Sequence, residues 1–152
     1  GALFQLDPKS PHVIEPHKRP FNTISAGFVM HDNRPLMAVT LMGGDMQAQG
    51  ILQVLLGVLD LGANAQAASD MARFRHQQIP NVLTLESPLF RLVGAPLRAM
   101  GHTVRSVNGS TVGGYQAVMF TPDGSTPTGA GVLRGFYRAG SDHRKDGGAV
   151  GF

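Results

Sequence analysis

Met37-Ala38-Val39-Thr40-Leu41-Met42-Gly43-Gly44-Asp45-Met46-Gln47 decides how this chain folds. Met37 to Met42 is an apolar run broken only by Thr40, suited to a buried strand. Two glycines follow, then a long segment with helical character. A strand that turns through Gly-Gly into a helix gathers backbone N–H groups at one point, because the first N–H groups of a helix have no intrahelical partner and carry the positive end of its dipole. Gly43 and Gly44 permit φ > 0 and put no side chain in the way of a ligand. Such a corner suits an anion, or an oxygen becoming one.

Upstream, Thr23–Met30 and Pro35–Met42 read as two strands joined by His31-Asp32-Asn33-Arg34, an antiparallel hairpin. Pairing them brings Asn22 and Thr23 close to Gly43 and Gly44. Residues 1–20 hold Pro8, Pro11, Pro16 and Pro20, which deny regular pairing inside a sheet; the segment reads as an extended approach to a globular part, 21–152, within a single domain of residues 1–152. An opening of this kind leads us to expect that the native chain continues upstream.

Downstream, Gln47–Leu61 carries two apolar stripes, Ile51/Val54/Leu55/Val58 and Leu52/Leu56/Leu59, and is expected to lie buried between layers. Gly62 ends it, and Asn64 caps a short helix through Met71. Val82–Glu86 reads as a strand, with Ser87-Pro88 as N-cap and first-turn proline of a helix that Pro96 is expected to break and Gly101 to end. Thr103–Val107, Tyr115–Phe120 and Val132–Ala139 read as strands, and 125–130 as a loop tip. Strands, helices, then strands again imply an α+β layered domain, helices packed on a mostly antiparallel sheet.

Composition narrows the function. The 152 residues are 42% hydrophobic and 15% charged, which opposes disorder. No apolar run approaches the roughly 20 residues needed to span a bilayer as a helix. The net charge of +3 comes from scattered basic residues with no aromatic interleaving, so no nucleic-acid footprint is read. With no cysteine, thiol chemistry is excluded. The seven methionines read as core filling, and His102 has no second ligand spaced for a metal. Arg73, Arg75 and His76 are candidates for an anion site or for salt bridges, Asp142 and Arg144 for tying the last segment down. Asp45 suits a helix N-terminus. On residue types alone, Gly43-Gly44 is more often a plain tight turn, and Asn22 and Thr23 are as readily strand-start caps.

The ordered set of segments alters that balance. Lys18-Arg19-Pro20-Phe21-Asn22-Thr23, Gly43-Gly44-Asp45-Met46-Gln47-Ala48-Gln49-Gly50, Val54-Leu55-Leu56, Asp60-Leu61-Gly62, Ala72-Arg73-Phe74-Arg75-His76, Glu86, Gly101-His102-Thr103-Val104 and the closing Ala139-Gly140-Ser141-Asp142-His143-Arg144-Lys145-Asp146-Gly147 resemble the C-terminal part of the small subunit of the γ-glutamyltranspeptidase family, within the N-terminal-nucleophile hydrolases. The resemblance implies a partial αββα sandwich and a self-cleaving precursor whose exposed threonine attacks a γ-glutamyl amide, passing the acyl group to water or to an amine. By position it assigns Gly43 and Gly44 to the oxyanion site and Asn22 and Thr23 to the substrate carboxylate. It implies no cofactor and no metal, and as partners a large subunit and the N-terminal part of the small subunit. No Thr-Thr occurs here, so the nucleophile is expected to be absent and the fragment alone inactive. The family's Asp-Asp before a Phe, which grips the substrate α-amino group, is replaced by Ala2-Leu3-Phe4, which fits a related specificity such as that of cephalosporin acylases. The alternative is a non-catalytic domain that holds phosphate or another anion on the Gly43-Gly44 helix start, and self-association of the fragment is a further expectation.

Overall fold

A computed structural model describes residues 5–124 and 134–151. Leu3 and the predicted loop 125–130 lie outside them. In chain order the elements are β1 (Ala26–His31), β2 (Arg34–Met42), α1 (Met46–Leu59), α2 (Ala65–Asp70), β3 (Phe74–Gln77), β4 (Val82–Glu86), α3 (Ser87–Ala99), β5 (Val104–Val107), a 3-10 turn (Gly109–Thr111), β6 (Gly114–Pro122) and β7 (Gly135–Ser141). One sheet has the order β1-β2-β6-β7, every neighbour antiparallel. A second has the order β3-β4-β5, in which β4 and β5 are parallel and joined through α3. The α+β expectation holds.

The hairpin forms because Asp32 and Asn33 both accept positive φ, 49° and 60°, as a two-residue turn of matching twist requires. Alternation on β2 then points Met37, Val39 and Leu41 inward. They meet Met46, Val54 and Val58 of α1 and Ala68 of α2, with Val112 and with Tyr115 and Ala117 of β6 completing the core. Gly50 lets α1 lie directly on β2: a Cβ there would stand 2.6 Å from a Leu41 methyl.

Several expectations are corrected. The first strand begins at Ala26, three residues later than predicted, because Asn22 turns the chain at Ile24 through its own side chain. Glu86, not Ser87, is the N-cap of α3, and Pro96 does not break that helix. Leu52, Leu56 and Leu59, the second stripe of α1, are exposed, so the described residues cover one face of that helix only. Met37 and Met46 are core, whereas Met30, Met42 and Met100 are exposed. The described residues also leave part of the outer face of the four-stranded sheet uncovered, with Phe28 73% and Tyr137 77% exposed.

Candidate functional site

The loop between β2 and α1 makes the corner. Gly43 sits at φ 137° and Gly44 at φ 58°. Their carbonyls accept the first helical amides, Met46 N–H at 3.1 Å and Gln47 N–H at 3.0 Å. The N–H groups of Gly43, Gly44 and Asp45 donate no hydrogen bond among the described residues, and all three residues are exposed. A Cβ on Gly44 would find nothing within 4 Å, so there is open space beside that residue. Position 43 is tighter: a Cβ there would meet Gly113 Cα and Met46 Cβ, each at 3.1 Å. Three unpaired amides at a helix start form a donor set for an oxyanion or a carboxylate.

Asn22 and Thr23 come to the same place. Gln47, on the first turn of α1, donates from Nε2 to the Thr23 carbonyl at 2.7 Å. The Asn22 amide is engaged locally, its Nδ2 donating to the Ile24 carbonyl at 3.1 Å and its Oδ1 accepting from Ile24 N–H at 3.3 Å. The Thr23 hydroxyl makes no hydrogen bond among the described residues. An open cleft of about 490 Å³ beside them is lined by Arg19, Pro20, Phe21, Asn22, Thr23 and Ile24, so its charged side chain is a cation. Asp45 makes no capping bond; its carboxylate, 77% exposed, lies 3.5 Å from Arg75 Nη2.

Arg73 is no part of an anion site. It is buried and bonded to Asp142 at 2.7 Å. Arg144 bridges Asp142 at 3.0 Å and Glu86 at 2.7 Å, and Glu86 also takes Arg73 N–H at 2.6 Å. Burial alone would raise the Asp142 carboxyl, but the amides of Tyr115 and Arg144 and the Arg73 guanidinium outweigh it and hold the pKa low. Burial pushes the Tyr115 phenol up to about 12. A network whose carboxylates are this fully paired is structural, as expected for Asp142 and Arg144. His76 pairs through Nε2 with Asn81 Oδ1 at 2.9 Å. No cluster of three or more His, Asp or Glu side chains suited to a metal occurs among the described residues. The sequence reading missed Gln47 as the link to Thr23; its signal was a polar side chain on the first turn of an otherwise apolar helix.

A family model described as gamma-glutamyltranspeptidase matches residues 2–152. The glutathione hydrolase proenzyme of Escherichia coli strain K12 is 30% identical over 115 residues, 74% of this chain and 19% of that relative. The chain thus spans about a fifth of the length of that curated relative. A crystal structure of cephalosporin acylase from Bacillus halodurans superposes with a TM-score of 0.74 at 28% identity, over 95% of this chain and 25% of that one. A mutant of Helicobacter pylori gamma-glutamyltranspeptidase gives 0.74 at 24% identity, over 93% of this chain and 77% of that one, which shows the shared fold.

Proposed function

The chain belongs to the gamma-glutamyltranspeptidase family, and from that premise we propose that it supplies the oxyanion and substrate-binding residues for amide cleavage and acyl transfer by a threonine carried upstream. The observation that carries the reading is the corner itself, where the exposed residues Gly43, Gly44 and Asp45 carry amides with no partner among the described residues. An attacking hydroxyl turns a carbonyl oxygen into an oxyanion, and donors fixed before the reaction stabilise that charge without reorganising; losing one such donor typically costs about 10²–10³ in rate. Thr23, held at the corner by Gln47, offers a hydroxyl to a substrate carboxylate, and Arg19 adds positive charge to the cleft. Asn22 joins this role by releasing its turn at Ile24. The threonine amine acts as base for its own hydroxyl.

The uncovered sheet face and the exposed stripe of α1 support contact with the large subunit and the N-terminal part of the small subunit, or self-association when these are missing. The acylase likeness, with Leu3 where an amine clamp is expected, supports a second reading: an acyl donor that lacks the α-amino group.

Co-expression with an upstream segment that begins on the family's threonine is expected to give hydrolysis of chromogenic acyl anilides. Comparing γ-glutamyl with glutaryl anilide separates the two specificities. A folded, processed pair that cleaves neither overturns the proposal.

A further inference from the structure

Strand β3 lies at the edge of its sheet, and its free edge is closed by side chains rather than by another strand. Arg75 and Gln77 alternate with Phe74 and His76, and the latter two turn their peptide groups away from β4, toward α1. Gln53 Oε1 accepts from Phe74 N–H at 2.9 Å while its Nε2 donates to the Phe74 carbonyl at 2.8 Å. Gln49 does the same at His76, 2.8 Å and 2.9 Å. Each primary amide thus stands in for the peptide of a missing neighbour strand.

The spacings fit. Four residues of helix rise about 6 Å and two residues of strand about 6.6 Å, so glutamines at i and i+4 meet strand residues two apart. Asp45, one turn earlier on the same face, carries the contact to Arg75 at 3.5 Å. The stripe Asp45, Gln49, Gln53 therefore fastens α1 to β3, and α1 begins directly after the Gly43-Gly44-Asp45 corner.

We infer that Gln49 and Gln53 are positioning residues: they fix the direction in which the corner presents its three amides. The inference rests on the oxyanion reading of that corner for its catalytic consequence, though not for its geometry. Hydrophobic packing of α1 on β2 leaves the helix able to roll or slide by a fraction of a residue, since dispersion contacts are weakly directional. Four directional hydrogen bonds to a strand in the other sheet remove that freedom. A displacement near 1 Å can cost on the order of 100-fold in rate.

The test uses the complete protein that carries this chain, with Gln49→Met and Gln53→Met, which keep length but cannot bond. Gln66→Met is the control. Gln66 makes an equivalent pair of bonds to Ser141, 3.0 Å each, from α2 rather than from the corner's helix. Hydrogen exchange of the bonded amides of Met46 and Gln47, and kcat and KM for an acyl anilide, are measured well below the unfolding temperature of each variant. Expected are faster exchange at Met46 and Gln47 and a kcat lowered by about tenfold or more with KM little changed for both test variants, and neither for the control. Unchanged exchange at Met46 and Gln47 in both test variants, or an equal change in the Gln66 control, overturns the inference. If the wild-type protein cleaves no amide, the oxyanion reading falls while the exchange data still decide the positioning role.

Discussion

Alanine is not equally foreign to the two glycines of the corner. At Gly44, φ 58° lies where alanine pays roughly 1–2 kcal/mol, and nothing stands in the way of a methyl group. At Gly43, φ 137° is outside any comfortable basin for an L-residue, and the added carbon would press on Gly113 and Met46. Thermal unfolding is therefore expected to show Gly44→Ala folded and destabilised by about 1–2 kcal/mol, with Gly43→Ala losing clearly more. Equal losses would mean that the backbone at 43 relaxes, and that the corner is less fixed than its geometry indicates. Asn22 shows what residue type alone leaves open. Its amide was equally suited to a ligand or to a local turn, and the structure has it at the turn, holding Ile24 through both N–H and carbonyl.

Among the elements, α3 is where a strong local rule yields to its surroundings. Pro96 removes one amide donor, yet the helix passes through it from Ser87 to Ala99. Both Pro96 and Leu92, one turn earlier, are exposed, so the orphaned carbonyl can be hydrated instead of buried. The helix then closes beyond Pro96, with Met100 N–H on the Pro96 carbonyl at 3.1 Å and His102 N–H on that of Leu97 at 3.1 Å. Pro96→Ala restores a donor, and chemical denaturation is expected to find the variant more stable by on the order of 1–3 kcal/mol. β3 is the opposite case. Four residues with one arginine, one histidine and no apolar alternation give no strand signal, because the partner of its outer edge is a pair of glutamines from a helix more than 20 positions upstream.

At the scale of the whole molecule, Arg73, Glu86, Asp142 and Arg144 join α2, β3, β4 and the C-terminal turn through buried ion pairs. Removing one partner of such a pair costs about 3–5 kcal/mol, because the other charge is left buried. The folded pKa of Asp142 is depressed, so its stabilisation is complete above the unfolded carboxylate value of about 3.9 and is lost as the pH falls through the folded value below it. Asp142→Asn is expected to lower stability at neutral pH by about 3 kcal/mol and to flatten the loss of stability below about pH 4, both followed by circular dichroism. An unchanged acid transition would remove Asp142 from that role. The sequence by itself determined the hairpin, the strand-turn-helix corner and the helix ends at Gly62, Asn64 and Gly101, because turn chemistry and periodicity act over a few residues, and its ordered motifs carried the family resemblance. Only the tertiary structure decided that Arg73 is an internal counter-charge, that β3 is a strand, and that one stripe of α1 is uncovered. Those outcomes depend on which distant groups arrive within about 3 Å, and no local pattern of residues encodes that distance.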